Sequence, residues 1–588
     1  MVGTAFLGIV NAGAWWESAV VYQIYPRSFK DSNNDGVGDL NGITLKLPYL
    51  KDLGVDAIWM SPIFKSPMQD FGYDITDYRA IDETFGTMQD FHELMKHAKR
   101  LGIRIILDYV PNHTSTSSEW FIKSIRNNDT YADYYIWANG TTDANNNRIP
   151  PNNWISKFRK SAWEYNEDRK QYYLHQFVIG QPDLNYRHPQ VQEEMKDVLR
   201  FWLEKGVSGF RIDAVNMLFE VNPADYGGKY PNEPLSNEPG YGPDDYEYLT
   251  HIYTKDQNET YDVVYDWRTV LDQYEAKDNE SKLMMTEAYT DIEHMMRYYG
   301  NATRNGSIPF NFVFLGELNG TSTAAQIQST INKWMQAMPA GKLANWVNGN
   351  HDHSRMATRY GDNRVDAMNM LALLLPGVTI TYQGEELGMT DGEISWEETV
   401  DPQACNTDDP LHYQAKSRDP CRTPFHWDNS TNAGFSTANK TWLPVASNYA
   451  TVNVAIEQAA NRSHYKFYKD VVALKHTSAV STGALNTTVL SDNVLVITRS
   501  LPNVTVVGVV NLANSTQDVD LNPISVVPKK LTVVASGVSC TLEKAFELER
   551  GNLSMPAYCA IVLEGVNNAY RITATSIFLY SIFILFMK

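Results

Sequence analysis

The stretch 206-GVSGFRIDAV-215 reads as a buried strand that carries two charged residues, Arg211 and Asp213. Side chains alternate between the two faces of a strand, so residues two positions apart point the same way. Because a buried charge is costly unless it is paired, we expect this Arg and Asp at the end of the strand, where a site opens. Taken alone, the pattern favours a structural ion pair, and the rest of the chain has to decide between the two interpretations.

Apolar runs of this kind alternate with amphipathic segments such as 88-MQDFHELMKHAKRLG-102 and 191-VQEEMKDVLRFWLEKG-206. Continuous apolar strands separated by helices imply a parallel sheet that is buried on both faces. Eight such units would close a (β/α)8 barrel. The predicted strands lie in 20-VVYQIYPRSF-29, 57-AIWMSPI-63, 104-RIILDYV-110, 209-GFRIDAV-215, 283-LMMTEAY-289, 309-PFNFVFL-315, 344-ANWVNGN-350 and 378-VTITYQGEE-386.

The alternation is interrupted between about His113 and Asn185, and it ends near Asn486, where short strands such as 493-NVLVITRS-500 follow. We therefore predict an inserted subdomain after the third strand and a C-terminal antiparallel β domain. The predicted units are a signal peptide (1–14), the barrel (15–112 and 186–485), the inserted domain B (113–185), the β domain (486–565) and a hydrophobic tail (566–588).

Both ends of the chain predict processing in the secretory pathway. The start, 1-MVGTAFLGIVNAGAWW-16, has the pattern of a signal peptide cleaved after about Ala14. Between Ile577 and Met587 the tail is almost wholly apolar, and as a helix it would span only about 17 Å, too short for a bilayer core. Small residues upstream match a glycosylphosphatidylinositol (GPI) anchor signal, and a short true span from near Ile572 is the alternative.

Composition narrows the choice of partners and compartment. The 588-residue chain has an ordinary 20% of charged residues but a formal charge of −19, which disfavours nucleic acid as a partner. Four cysteines form two close pairs, Cys405 with Cys421 and Cys540 with Cys559, which predict disulfides in an oxidising compartment. Fourteen glycosylation sequons also indicate secretion, among them those at Asn128, Asn139, Asn258, Asn301, Asn439 and Asn552.

Charged and polar residues recur where the predicted strands end. Strand carboxyl ends converge on one face of a barrel, and active sites form on that face. Acids, histidines and an arginine brought there by separate strands are hard to explain as independent ion pairs, so the pattern indicates catalysis. These residues are Asp108 and His113 after the third strand, Arg211 and Asp213 at the fourth, Glu287 at the fifth, and His351 and Asp352 after the seventh.

Five ordered motifs resemble the α-amylase family of retaining glycoside hydrolases, glycoside hydrolase family 13. The form of 181-QPDLN-185, the opening 19–43 and 417-SRDPCRTPFHWD-428 are similar to its α-glucosidase and oligo-1,6-glucosidase branch. Together with the sequons and the tail, they resemble the membrane-bound maltases of insects. The motifs are 108-DYVPNH-113, 181-QPDLN-185, 209-GFRIDAV-215, 284-MMTEAY-289 and 348-NGNHD-352.

The resemblance implies a role for each of these side chains. A retaining pair of carboxyls stands about 5 Å apart, one attacking the anomeric carbon while the other protonates the leaving oxygen. The implied roles are Asp213 as nucleophile, Glu287 as general acid/base, Asp352, His113 and His351 as partners of the sugar hydroxyls, and Arg211 as the cation that orients Asp213 and keeps it ionised.

The resemblance also implies a substrate-binding set around the terminal glucose. Asp70, paired with Arg418, would bind the distal hydroxyls of this glucose. Tyr73 would stack on its ring, and Phe177 would line the next subsite. A pocket blocked by such a pair makes an enzyme exo-acting. The residue after the nucleophile is Ala214, which in this branch accompanies α-1,4 cleavage, so we expect maltose-type and sucrose-type substrates rather than isomaltose.

The run 31-DSNNDGVGDL-40 begins like an EF-hand loop but has Gly42 where such a loop needs a glutamate. By resemblance it is a structural Ca²⁺ loop instead, and no organic cofactor is expected. A solvated turn rich in Asp and Asn is the alternative. The implied calcium ligands are the side chains of Asp31, Asn33, Asp35 and Asp39 and the carbonyl of Val37.

These observations predict an exo-α-glucosidase held by a lipid anchor at the extracellular face of the plasma membrane. The alternative class is a catalytically dispensable binding protein, like the amino-acid transporter heavy chains that resemble this barrel. Transglycosylation uses the same residues as hydrolysis and stays open. Protein ligands at the cell surface and a homodimer are left open as well.

Overall fold

The computed structural model describes residues 13–127 and 130–567. The predicted signal peptide apart from its last two residues, the sequon at Asn128 and the tail from residue 568 onward lie outside the described residues. Within those ranges, no helix combines the length and apolar character needed to cross a membrane.

Eight parallel strands form the central sheet, which confirms the predicted barrel. Consecutive strands pair from β1 to β6, β7 pairs with β8, and β8 pairs with β1. Every strand residue is buried except Arg104, which is half-buried at the start of its strand, as expected for strands covered by helices on the outside. The strands are β1 (Val20–Ile24), β2 (Ala57–Met60), β3 (Arg104–Tyr109), β4 (Gly209–Ile212), β5 (Leu283–Thr286), β6 (Ile308–Pro309), β7 (Asn345–Val347) and β8 (Val378–Tyr382).

The sixth strand is shorter than the sequence predicts. The run 309-PFNFVFL-315 starts at the end of β6, and a helix, Val313–Glu317, takes up its second half. A parallel bridge between Asn311 and Trp346 links this segment to β7 and closes the barrel. The run is apolar because it is buried, and a short apolar run alone does not distinguish a strand from a helix.

A helix follows each barrel strand, and side-chain caps mark where several begin. Asp39 accepts a hydrogen bond from the Gly42 amide at the first helix, and Thr87 with Asp90 forms a capping box at the second. The helices are Leu40–Leu53, Met88–Leu101, Pro189–Glu204, Asn258–Asp278, Ile292–Arg297, Ala324–Ala337, Val365–Leu374 and His464–Lys475.

An irregular excursion separates β3 from its helix, where the sequence predicts an inserted subdomain. Its described residues form one helix, Glu119–Ile125, and a small antiparallel sheet of Trp137–Ala138, Gln171–Leu174 and Trp163–Asn166. A cluster of buried aromatic residues that includes Trp154 forms its core. A second hairpin pairs Thr141–Thr142 with Arg148–Ile149.

The C-terminal part of the chain is an antiparallel β domain, as predicted. One face of its main sheet packs into the same core as the barrel, and the other face covers a second apolar cluster. Asp366 of the barrel accepts hydrogen bonds at its two oxygens from His464 (2.7 Å) and from the Val538 amide (2.8 Å). The main sheet contains Ala484–Ser491, Val494–Ser500, Val504–Asn511, Ala560–Val566, Lys530–Ser536 and Glu547–Glu549, and a smaller one pairs Gln517–Asp520 with Asn552–Met555.

One of the two predicted disulfides is present. Cys540 and Cys559 are bonded, whereas Cys405 and Cys421 are free thiols, so the prediction for that pair is wrong. The buried Cys421 thiol contacts the carbonyl oxygens of His351 and Arg418, while Cys405 ends the helix Pro402–Cys405. The two cysteines are close in sequence, but their thiols have separate surroundings.

The described sequon asparagines lie at the surface. Their side chains are exposed, whereas Asn112, which precedes His113, is 1% exposed. Surface position is what glycan attachment requires. The exposed set is Asn139, Asn258, Asn301, Asn439 and Asn552.

Candidate active site

The carboxyl ends of three barrel strands bring the predicted catalytic acids to one cavity. Asp213 and Glu287 directly follow β4 and β5, and Asp352 lies in the loop after β7. All three line a cavity of about 300 Å³ at this end of the barrel. A shared cavity favours a common site over three independent ion pairs.

The guanidinium of Arg211 joins three buried carboxyls. Its Nη1 donates to Asp108 Oδ1 at 2.9 Å and also contacts Asp213 Oδ1, whereas its Nη2 lies 2.7 Å from Glu287 Oε2. The planar group presents donors along several edges, so one side chain can hold both candidate catalytic carboxyls. The backbone amide of Ala214 donates to the same Glu287 oxygen at 3.0 Å.

The two candidate catalytic carboxyls that contact this cation differ in their pKa values. Burial raises the pKa of Glu287 to about 8; Arg211 opposes that rise, and the charges of Asp213 and Asp352 add to it. Burial raises the pKa of Asp213 only to about 6, and Arg211 opposes this rise through its charge and its hydrogen bond. Near neutral pH, Asp213 is therefore ionised while Glu287 keeps its proton.

Asp352 stays ionised for a different reason. Its Oδ1 accepts a hydrogen bond from Arg422 Nη2 at 2.9 Å and lies 3.5 Å from Arg418 Nη1. Burial opposes ionisation, but the two guanidiniums hold the pKa of Asp352 well below its ordinary value. Because burial lowers the pKa of His351 so far that its ring is neutral near pH 7, the arginines supply the stabilising charge there.

Two buried histidines contact Tyr73. The ring of His351 stacks on Tyr73 with centroids 5.4 Å apart, and its Nε2 lies 2.7 Å from the Tyr73 hydroxyl. Gln23 donates to His351 Nδ1 at 2.8 Å, so the proton of this ring is on Nε2. Burial lowers the pKa of His113 to about 4, and its Nε2–H is engaged by the Tyr73 carbonyl at 3.0 Å.

A buried ion pair forms a second polar wall of the cavity. Arg418 Nη2 lies 2.8 Å from Asp70 Oδ1, and Arg418 Nε donates to Asp401 Oδ2 at 3.1 Å. Gln181 donates to the other Asp70 oxygen at 3.3 Å. With both sides of the guanidinium in use, Arg418 holds Asp70 in a fixed position facing the cavity.

The predicted substrate-binding residues fall into two groups. Phe177 packs against His113 with ring centroids 5.1 Å apart, and both face the cavity. Arg211 and His351 lie behind the surface and contact residues that line it. The lining residues among the predicted set are Asp70, Tyr73, His113, Phe177 and Arg418.

Sequence reasoning misses four residues that hold the site together. Asp108 lies near the end of β3 and pairs with Arg211, a role that the sequence pattern alone does not assign. Arg422 and Gln181 lie inside the motifs that carry the family resemblance, so the motifs were a signal for both. Asp401, which fixes Arg418, lies in no motif and had no sequence signal.

The predicted calcium ligands lie in the loop before the first barrel helix. Asp31 accepts a hydrogen bond from the Asn33 amide, Asp35 accepts one from the Val37 amide, and Asp39 caps the helix. In the described part of the chain, no group of three or more His, Cys, Asp or Glu side chains is arranged to hold a metal ion. All five groups offer oxygen, which suits a hard cation, but here the carboxylates bond within the loop, so calcium stays a prediction.

Comparison with curated proteins finds close relatives along nearly the whole chain. The family model of the alpha amylase catalytic domain matches residues 23–483. Maltase A1 of Drosophila melanogaster is 52% identical over 541 residues, which cover 91% of this chain and 93% of that protein. A salivary alpha-glucosidase of Aedes aegypti is 50% identical over 498 residues, covering 84% and 85% of the two chains.

More distant relatives share the fold. The amino acid transporter heavy chain SLC3A1 of Homo sapiens is 42% identical over 465 residues, which cover 78% of this chain and 64% of that protein. The crystal structure of an alpha-glucosyl transfer enzyme, XgtA, superposes with a TM-score of 0.81 at 33% identity, covering 94% of this chain and 99% of the other. The family resemblance drawn from the five motifs is confirmed: the chain belongs to the alpha-amylase family.

Proposed function

We propose that the protein is a retaining exo-α-glucosidase that releases terminal, non-reducing α-1,4-linked glucose from maltose and short maltooligosaccharides, and from sucrose. The observation that carries the proposal is the pair Asp213 and Glu287, held by one guanidinium but with pKa values of about 6 and about 8. The names of the relatives, maltase and alpha-glucosidase, agree with it.

In the proposed reaction the two carboxyls act from opposite sides of the glycosidic bond. The ionised Asp213 attacks the anomeric carbon while Glu287 gives its proton to the leaving oxygen, so the glycosidic bond breaks as a glucosyl ester forms. Glu287, now ionised, removes a proton from water, which attacks the anomeric carbon and frees Asp213. Glucose leaves with its anomeric configuration retained, and a sugar hydroxyl in place of that water would give transglycosylation.

The remaining cavity residues would position the terminal glucose. Asp352 is an ionised acceptor for two ring hydroxyls, and it would strengthen those bonds as positive charge develops on the ring. Asp70, fixed by Arg418, would accept hydrogen bonds from the distal hydroxyls and leave no room for a further sugar unit. An α-1,4 preference is supported by the small side chain of Ala214, which lines the cavity beside Asp213.

Product analysis on four substrates tests this proposal. We expect glucose from maltose and sucrose, much slower release from isomaltose, and only glucose from the chain ends of starch. Internal cuts in starch would contradict an exo-acting pocket, and preferred hydrolysis of isomaltose would contradict the use of Ala214. Inactivity on every α-glucoside would favour the non-catalytic binding protein, whose fold the transporter heavy chain shares.

A structural calcium ion in the loop 31–39 is part of the proposal, supported by its all-oxygen donor set. Asn33 and Asp35 are exposed, so both side chains can rotate toward an ion. The ion would supply stability to the loop and no step of the reaction. After chelation, we expect the addition of millimolar calcium to raise the Tm of the protein by several degrees. Asp35→Asn should remove that rise. An equal Tm with and without calcium would refute the calcium site.

We further propose that a GPI anchor holds the enzyme at the extracellular face of the plasma membrane, on the basis of the tail sequence. The exposed sequon asparagines and the bonded pair Cys540–Cys559 agree with passage through the secretory pathway. A phosphatidylinositol-specific phospholipase should release the activity from intact cells. Activity that stays with the membrane after treatment would favour a short membrane span instead.

A further inference from the structure

The hairpin tip at residues 155–161 of the inserted subdomain forms one wall of the cavity mouth. Ile155 and Ser161 pair in an antiparallel bridge, while Arg159 and Lys160 at the tip have left-handed backbones, with φ of 74° and 64°. Residues other than glycine adopt this region rarely and at a cost in free energy. The surroundings of the tip must therefore hold it in place.

Two neighbouring loops hold the outer side of this tip through ion pairs. Arg159 lies 3.4 Å from Asp245, in the segment after β4, and Lys160 lies 2.8 Å from Asp408, in the segment after β8. Both cations at the tip thus have carboxylate partners on the outside of the molecule.

Lys157 of the same hairpin has a different environment. Its backbone amide donates to the Gln176 carbonyl at 2.8 Å, and its side chain lines the cavity. Across the ranges that the structure describes, its ammonium group forms no salt bridge, unlike those of its two neighbours at the tip. Its Nζ lies 4.7 Å from the centre of the Tyr246 ring, which stacks on His251.

Lys157 and Glu287 line the same cavity. Burial lowers the pKa of Lys157, the charge of Lys255 adds to this, and the charges of Glu247 and Glu287 oppose it. An ammonium carries three N–H donors, and a ring face satisfies them only weakly. Donors that lack acceptors in a partly buried cavity are available to a ligand.

The proposed reaction places the leaving sugar beside Glu287, because this side chain protonates the leaving oxygen. Hydroxyl oxygens of that sugar are acceptors of the kind that Lys157 lacks. We propose that Lys157 is a specificity-determining residue that donates hydrogen bonds to the leaving sugar. The inference rests on the proposed α-glucosidase function and adds a recognition site for the second half of the substrate.

Two substrates with the same glucosyl unit separate this role from catalysis. Maltose has a leaving sugar, whereas α-glucosyl fluoride has none. We expect Lys157→Met to lower kcat/KM on maltose by about 10- to 100-fold, as for the loss of a hydrogen bond to a charged group, and to change the fluoride reaction by less than about twofold. Lys157→Arg, which keeps a cationic donor, should recover part of the loss.

Lys160→Met is the matched control, because it removes the same charge from the outer side of the same hairpin. It should leave both reactions within about twofold of the unaltered enzyme. Parallel losses on both substrates in Lys157→Met, or no loss on either, would overturn the inference. Lys157→Gln replaces Lys157→Met if the latter misfolds. An unaltered protein that hydrolyses neither substrate would instead refute the proposed function.

Discussion

The Arg211 guanidinium contacts Glu287 as well as Asp213, with 2.7 Å between its Nη2 and Glu287 Oε2. The R-x-D pattern in the sequence links Arg211 to Asp213 alone. Contact with both carboxyls means that one cation holds them in place and, against the rise caused by burial, lowers both of their pKa values. The predicted pH dependence and the effect of changing Arg211 follow from this geometry.

The pH profile of kcat/KM should be bell-shaped. Asp213 must be ionised, so activity should fall as the pH drops through about 6; Glu287 must be protonated, so activity should fall as the pH rises through about 8. The measurement is kcat/KM on maltose across this range. With α-glucosyl fluoride, whose leaving group needs no proton, the loss on the alkaline side should be much weaker, and an unchanged alkaline limb would contradict the role of Glu287.

Replacing Arg211 by lysine should shift that profile to higher pH. A lysine keeps the charge but cannot contact Asp213 and Glu287 along two edges, so both carboxyls lose stabilisation of their ionised forms and both pKa values rise. We expect kcat on maltose to fall by about 100-fold or more, because the two carboxyls are no longer held in their relative positions. Arg79→Lys, at the surface pair with Glu194, is the control and should leave the profile in place.

Asp213→Asn should abolish hydrolysis of maltose, with a loss of at least about 10⁴-fold in kcat, because an amide is not a nucleophile. The side chain has nearly the same shape, so Tm should stay within a few degrees of the unaltered protein. Asp408→Asn, on an exposed carboxylate, is the matched control and should keep full activity. Turnover by Asp213→Asn at a rate near that of the unaltered enzyme would refute the nucleophile assignment.

Asp70→Asn should raise KM for maltose and lower kcat/KM by about 10- to 100-fold, since a charged acceptor for sugar hydroxyls becomes a neutral one. Arg418 keeps its contact with Asp401, so the wall of the cavity should stay folded. The same substitution at the exposed Asp77 serves as a control in steady-state kinetics. Equal kcat/KM for the Asp70 variant and the control would remove Asp70 from the substrate site.

Thiol titration should find two free thiols per chain in the unfolded, unreduced protein. These are Cys405 and Cys421, whereas Cys540 and Cys559 are bonded to each other. In the folded protein Cys421 should react slowly, because it is buried and burial raises its pKa. A count of zero free thiols would instead support the Cys405–Cys421 disulfide that the sequence predicts.

The sequence predicts the barrel and the meeting of the candidate catalytic acids in one cavity well, because both leave a local pattern. Buried strands are short apolar runs, and the charged residues that end several of these runs mark the face that carries the cavity, as with Glu287 after β5. The strand prediction for 309–315 is wrong in its second half, because a buried helical turn is as apolar as a buried strand.

The supporting residues are harder to predict because their contacts span the chain. Asp401 and Arg418 pair across a loop, and Arg418 meets Asp70 from 348 positions away. The free Cys405 and Cys421 show the converse: nearness in sequence does not bring two thiols together when each is held by other neighbours. Lys157 leaves no signal in the sequence either, since its proposed role depends on its place in the cavity and on the lack of a salt bridge to its ammonium group among the described residues.

The shared core of the barrel and the C-terminal sheet makes the two parts a single cooperative unit. Gly508 in that sheet packs so closely on Leu374 and Met370 of a barrel helix that an added Cβ would lie 2.7 Å from the Leu374 side chain. Cutting the chain near residue 485 would expose those side chains to solvent. It would also remove the hydrogen bond from the Val538 amide to the buried Asp366 carboxylate. Fragments made at that boundary should aggregate rather than fold, so any engineered, shortened version of this enzyme has to retain the sheet.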